Sequence, residues 1–455
     1  MGRLSVPLLR RSDAESFQVI SWSDAAKLAA ARLGEARSGW SIWCEGSSST
    51  NEGYHSLLKL AQVFAARQAK VVLPQGYARS QRALERCFGV AASTASLGDL
   101  GEAELVLSFG NPLSSDPLLA NCLARAEERG ATLETIPAVN TGQAGEQPSQ
   151  EQALLAGVLK GLLTSSGFDR EEMERRVGQC SELVERLEQW HWDELISTAK
   201  CRRERIEQLV AALQRASSTV MLVGNDFAQA QGGSETLTML LALAASAGLI
   251  GRPGSGVLSM GGGSAAQGAL DLGISPELPS PTTLGSDRLV YVVGRALADA
   301  LVSEQLAAEP VSKAQVRIHQ AHFIDNSMLI NAGELTLLLP MQSRYGQRGG
   351  CTLTSVDRTV HFSPEIRGNR IADARPDWEI PALIAQQAES VPEELWAWLD
   401  SGAVRVSLES AVPAYQGLSG LHAPGQFFQW GGATLHRDGC ATEDGKARFA
   451  HLSLA

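Results

Sequence analysis

The chain has 455 residues, 44% of them hydrophobic and 20% charged, a balance typical of a globular protein with room for two or three domains. Its 39 basic against 50 acidic side chains leave a net charge of −11, which argues against nucleic acid or an anionic membrane surface as a partner. The longest apolar run, around Leu237–Ile250, is too short to span a bilayer, so no membrane insertion is expected.

In chain order, "WSIWCEG" predicts a strand and "TNEGYHSLLKLAQVFAARQ" a helix with apolar residues at helical spacing. "AKVVLP" and "AELVLSFG" predict two more strands. In "NPLSSDPLLANCLARAEERG", Asn111 and Ser114/Ser115 can start a helix that Gly130 stops. "ATLETIPA" is the next strand, and the turn-rich "NTGQAGEQPSQ" after it reads as a domain boundary. Residues 152–213 read as mostly helical. "TVMLVGNDFAQAQGG" then gives a strand and a polar turn, followed by a buried apolar helix and the glycine-dense "LIGRPGSGVLSMGGGSAAQG". "RLVYVVGRALADAL", "AQVRIHQAHFI" and "LTLLLP" carry three further strands.

Apolar strands alternating with amphipathic helices predict parallel sheets covered on both faces. The expected fold is α/β, with two doubly wound Rossmann-like lobes, the second inserted into the first. Residues 1–139 and 261–390 would form the first lobe, 140–260 the inserted one, and 391–455 a C-terminal helix and tail. In such sheets ligands sit beyond the carboxyl ends of the strands. The loops near Ser47, Gly76, Asn111, Asn225 and Gly251 are therefore expected around one cleft.

The seven cysteines (Cys44, Cys87, Cys122, Cys180, Cys201, Cys351 and Cys440) are scattered, with no C-x-x-C pair. Their odd number, with no visible secretory signal, predicts reduced thiols and a cytoplasmic location. An iron–sulfur cluster needs closely spaced thiolates, so no Fe–S cluster is expected. "HQAH" (His319, His322) could touch a metal if helical, but it follows "QVRI" and reads as structural. Trp190 and Trp192 read as core or interface residues, and no metal site is assigned.

Several segments, in this order, resemble the molybdopterin oxidoreductase family, in its formate dehydrogenase alpha-subunit-like branch. They are "GRLSVPLLRR" with "FQVISWSDAAKLAA", "GSSSTNEGYHSLLKLAQ", "LGDLGEAELVLSFGNPLSSDP", "GLIGRPGSGVLSMGGGSAAQG" and "VRIHQAHFIDNSMLINAGELTLLLPMQSRYGQRGGCTLTSVDRTVHFSPEI". The resemblance runs from about Gly2 to Ile384, and "TEDGKARF" resembles the segment that leads into the family's last domain. It implies a molybdenum or tungsten ion held by two pterin dinucleotides, with a Cys or selenocysteine side chain on the metal.

Laid without gaps on the family's catalytic loop, "PQGYARSQRALERCFG" puts Gly76 where that Cys should stand and Tyr77 where a His is common. Cys87, eleven residues on in a predicted helix, is roughly 16 Å away by helical rise. In "SMGGGSAAQG", Gly261, Gly263 and Ala265 stand at or near places where the family carries an Arg and other polar side chains. Protein or water is expected to fill that space. The family's upstream cluster-binding domain and its closing domain are expected to be absent.

The resemblance still places Asn111, Ser114 and Asp116 on a turn that meets a guanine dinucleotide arm, and Gly224, Asn225, Asp226, Gln229 and Gln231 on another. Gly251, Arg252 and Gly254 would contact the cofactor, and Arg344, Arg348, Gly349 and Gly350 keep a family pattern. These residues imply either residual binding of molybdopterin guanine dinucleotide or inherited loop geometry. Two functions follow from the resemblance. One is a subunit without the metal-binding Cys, acting as a structural member of a redox complex with other subunits. The other is an active component whose Fe–S and closing domains lie on partner chains.

Overall fold

The computed structural model describes residues 2–114, 116–138, 149–166, 168–230, 232–277, 284, 287–298, 314–388, 396, 398–449 and 452. The first strands in the chain are β1 (Leu8–Arg11), β2 (Gln18–Val19), β3 (Trp40–Glu45), β4 (Gln68–Val72), β5 (Leu105–Phe109), β6 (Thr132–Ile136), β7 (Thr219–Val223) and β8 (Gly256–Ser259). They are followed by β9 (Ser275–Pro276), β10 (Leu289–Val293), β11 (Val316–Ala321), β12 (Leu335–Pro340), β13 (Cys351–Thr354), β14 (Thr359–Ser363) and β15 (Phe427–Gln429).

The chain divides into two compact units. Unit 1 comprises residues 1–73, 263–355 and 359–430; unit 2 comprises 74–262, 356–358 and 431–455. Unit 1 carries the sheet β2-β1-β12-β11-β10-β3-β4-β9. From β12 to β9 its strands are parallel, with Val293 opposite both Cys44 and Gln320. Strands β3, β10, β11 and β12 are almost wholly buried, as parallel strands covered on both faces must be. A small antiparallel sheet, β13-β14-β15, belongs to the same unit.

Unit 2 is built on the all-parallel sheet β6-β5-β7-β8. The helix Gly233–Ser246 is buried on nearly every face, as its unbroken apolar sequence predicted. The helix Gln75–Phe88 packs Ala83, Leu84, Cys87 and Phe88 into the same core. Gly89, in the left-handed region at φ 83°, ends that helix by returning its N–H to the Glu85 carbonyl. Phe109 and Phe227 meet at 5.2 Å between ring centroids, joining the end of β5 to the turn after β7.

Two expected lobes with parallel sheets are present, one interrupting the other, but their boundaries differ from the sequence reading. Strands β5 and β6, expected in the first lobe, pair with β7, so unit 2 starts at Pro74 rather than 140. Its main segment ends at Gly262, close to the expected 260. Most of the proposed boundary loop, residues 139–148, lies outside the described residues. The tail from 391 is not a separate element. Its β15 pairs with β14 in unit 1, while Ala441 and Arg448 donate their N–H groups to the Phe88 and Cys87 carbonyls in unit 2. No helix among the described residues is long and apolar enough to cross a membrane.

Candidate functional site

In unit 2 the chain reverses its winding between β5 and β7, the place where an open parallel sheet presents its ligand loops. Three turns leave the carboxyl ends there: Gly110–Asn111 after β5, Gly224–Asp226 after β7, and Met260–Gly262 after β8. The turns are tied in series. Gly224 donates its N–H to the Phe109 carbonyl at 2.9 Å, and Met260 donates to Val223, also at 2.9 Å.

The Asp226 carboxylate occupies the centre of this rim. It accepts the Asn111 N–H at 3.0 Å on Oδ1 and 2.9 Å on Oδ2. A methyl group built on Gly110, whose φ is +75°, would lie 2.5 Å from the same Oδ1, and one built on Gly224 would lie 2.6 Å away. Both positions are therefore glycine because a carboxylate lies against the backbone. Exposed backbone N–H groups at such a turn would suit an anionic ligand, but here the chain supplies the anion itself.

Asn225 closes the next layer. Its Oδ1 accepts the Tyr77 N–H at 3.1 Å, at the start of the helix Gln75–Phe88. Its carbonyl oxygen lies 1.8 Å from the point where a Cβ on Gly76 would stand. Only a residue without a side chain fits at 76 in this arrangement. Tyr77 is fully buried. A Cβ on Gly262 would come within 2.4 Å of Tyr77 ring carbons, and one on Gly261 within 3.1 Å of the Asn225 Cβ. The space beside Gly261 and Gly262 is thus filled by protein, by Asn225 and Tyr77. Arg79 completes the turn by donating to the carbonyls of Ala228, Gln229 and Ala230.

The other expected residues are distributed differently. Ser114 lies in the turn Pro112–Ser114. Asp116, rather than Asn111 or Ser114, caps the helix Pro117–Glu128, accepting the Leu118 N–H at 2.9 Å with Pro117 at the first helical position. Ser115 and Gln231 lie outside the described residues. Gly251, Arg252 and Gly254 precede β8. They therefore lie at the amino end of the sheet, beside Ser255, whose hydroxyl accepts the first N–H of β7. The expectation that Gly251 shares a rim with Asn111 and Asn225 is corrected by this direction. In a parallel sheet the segment before a strand and the segment after its neighbour lie at opposite ends.

Ser47, Gly263 and Ala265, by contrast, belong to unit 1. There, beyond the carboxyl end of β12, Arg344 lies over the Tyr345 ring, and Arg348 donates to the Leu399 carbonyl at 3.0 Å. Gly349 and Gly350, at φ +80° and +71°, sit against Ser401 and Phe362. Arg348 shares a cavity of about 230 Å3 with Gln342, Arg370, Arg375 and Glu379. Arg370 is held by Glu365 and Arg375 by Glu379. Sequence reasoning did not single out Arg370 or Arg375, because their spacing follows no helical or strand period.

His319 is fully buried in strand β11 between Val292 and Leu338. His322 bonds the Gln342 carbonyl at 3.2 Å. Burial lowers the pKa of both rings, that of His322 to about 4. The pair thus lies on a strand and its end, not on a helix. Trp190 and Trp192 pack against the unit 2 core, and Arg203 stacks over Trp192. Among the described residues no group of three or more His, Cys, Asp and Glu side chains is placed to hold a metal ion.

A family model described as molybdopterin oxidoreductase matches residues 3–330. YrhE of Bacillus subtilis (strain 168), provisionally named a formate dehydrogenase, is 24% identical over 506 residues, covering 98% of this chain and 50% of its own length. The F420-dependent formate dehydrogenase 1 subunit alpha of Methanococcus maripaludis is 23% identical, covering 100% of this chain and 73% of its own. The chain thus spans about half the length of YrhE. Acetylene hydratase from Pelobacter acetylenicus shares the fold at 13% identity, with a TM-score of 0.74 over 99% of this chain and 70% of its own.

Proposed function

Because the chain belongs to the molybdopterin oxidoreductase family, in its formate dehydrogenase alpha-subunit-like branch, we propose that it serves a redox complex as a non-catalytic, structural member. The family implies a molybdopterin cofactor. The observation that carries the reading is the contact at Gly76. The resemblance assigns that position to the metal-bearing sulfur, and a Cβ there would lie 1.8 Å from the Asn225 carbonyl. The residues at this position do not fit a thiolate-held molybdenum or tungsten ion.

Two further features support the reading. The Asp226 carboxylate already takes the Asn111 N–H, so a dinucleotide phosphate at that turn would have to displace an internal anion. Tyr77 fills the space beneath Gly262. Any guanine dinucleotide form of the cofactor is therefore held, if retained, without a metal ligand from position 76. The seven cysteines are scattered, with no C-x-x-C pair, which supports a chain without an Fe–S cluster, and none is paired in a disulfide, which supports a reducing cytoplasm. Its partners in this reading are the other subunits of the complex.

The test is expression in a host that makes the bis-pterin cofactor, followed by metal analysis and a dye-linked formate assay. The expected result is no stoichiometric metal and no turnover. Molybdenum or tungsten near one per chain, with formate oxidation, would overturn it in favour of an active component.

A further inference from the structure

The amino end of the unit 2 sheet holds a half-open cavity of about 450 Å3, within the size range of small-molecule sites. Leu162, Phe168, Met173 and Leu213 give it an apolar wall, and Asp169, Glu172, Arg176 and Arg252 are its charged groups. Most of these charges are already matched. Asp169 accepts the Glu172 N–H as the cap of the helix Arg170–Arg176. Glu172 pairs with Arg175 and, at 2.5 Å, with Arg176, which also donates to the Ile250 carbonyl. Gln214 donates to Ser165.

Two donors lack such partners among the described residues. The Arg252 guanidinium makes no hydrogen bond or ion pair there, although Glu104 lies within its electrostatic reach. Ser246, 6% exposed at the end of the helix Gly233–Ser246, has a buried hydroxyl with no partner. A buried polar group without a partner is costly, and a guanidinium pairs best with a carboxylate. We propose that this cavity binds a small amphipathic carboxylate, its apolar body against Phe168 and Met173 and its anionic end toward Arg252 and Ser246. The site lies at the sheet end opposite the Asp226 rim and is independent of the function proposed above.

The experiment uses the full chain with anilinonaphthalene sulfonate as fluorescent probe. Octanoate is the competitor, with octyltrimethylammonium as its cationic counterpart. Saturable binding of one probe per chain is expected, displaced by octanoate and not by the cation. Arg252→Glu should weaken octanoate by roughly tenfold or more, while Arg252→Lys keeps most of the affinity. Ala247→Phe, which places a ring in the cavity from its half-exposed edge, should abolish displacement. Each variant is compared only where its thermal unfolding stays cooperative, because loosely folded chains also bind the probe. Unchanged octanoate affinity in both Arg252→Glu and Ala247→Phe, or equal displacement by the octyl cation, would overturn the proposal.

Discussion

Asn225 holds the start of the helix Gln75–Phe88 in two ways: its side chain accepts the Tyr77 N–H, and its carbonyl oxygen lies directly against Gly76. Replacing that glycine must push the helix and the turn apart. Gly76→Ala is expected to cost roughly 2–3 kcal/mol by overpacking, lowering the melting midpoint by about 5–10 °C. Gly76→Cys should do the same and still give no formate turnover, because added sulfur restores none of the surrounding contacts that tune a metal. Thermal melts of both variants beside the dye-linked assay check this. A variant as stable as the parent would show that the helix start can slide.

Asp226 is the second target. Asp226→Ala removes the acceptor for the Asn111 N–H, and because both residues are exposed the loss should be about 1 kcal/mol. Asp226→Asn, which keeps one acceptor oxygen, should lose less. Urea unfolding of the three proteins ranks them; an unchanged Asp226→Ala would mean that water replaces the carboxylate at no cost.

Unit 1 contains an ion pair closed off from solvent. Arg405 donates to Glu52 at 3.1 Å, and both side chains are within 4% of complete burial. Glu52→Gln leaves the guanidinium charge with the Ser401 hydroxyl and no counter-ion, so a loss of about 3–5 kcal/mol is expected. Glu52→Gln combined with Arg405→Met should recover part of it. Denaturant midpoints decide, and a double variant no better than the single one would refute the account.

Acid sensitivity follows from buried imidazoles: His319, whose pKa burial holds well below 6.5, and three others. Burial lowers the pKa of His55, His322 and His436 from 6.5 to about 4. Folded, they stay neutral over that interval, whereas the unfolded chain takes up protons below 6.5. Their contribution is therefore intact above pH 6.5 and is lost as the pH falls toward about 4. Unfolding free energy measured across this window should decline with acidification, and His322→Gln should decline less steeply. A flat profile would exclude the mechanism.

Purified from its native host, the protein should show no broad visible absorption that bleaches with dithionite. Such a band would demonstrate a cluster and would place its ligands on thiols now read as isolated.

Much of this architecture is legible in the sequence. "WSIWCE", "LVLSF", "TVMLV" and "LVYVV" read as strands because they are short, largely apolar runs rich in β-branched or aromatic residues, which suit a sheet covered on both faces. Strands β1, β2, β8, β9 and β13 to β15 escaped that reading, being short, mixed in character or, for β8, buried in the glycine-dense run. Pro74 looks like any strand-to-helix junction. What makes it a boundary is the packing of the next helix against Asn225, far along the chain. The same separation hid the Asp226–Asn111 contact, since neither residue carries a signal for the other. The glycine run was visible; its occupant, Tyr77, was visible only as a substitution in another segment.

The threading of the chain also sets an order of assembly. Strand β3 emerges from the ribosome before the whole 74–262 segment, yet its neighbour β10 is made afterwards. The four strands of unit 2 lie within one continuous stretch and can pair while Trp43 still lacks Val290 and Val292 to pack against. Non-local pairing is slow and leaves apolar surface open meanwhile. Synthesis halted before Leu289 would therefore release a half-made chain. Its middle is folded, while β1 and β3, each paired on one side with β2 and β4, still lack β12 and β10 on the other and stay open to association with other chains.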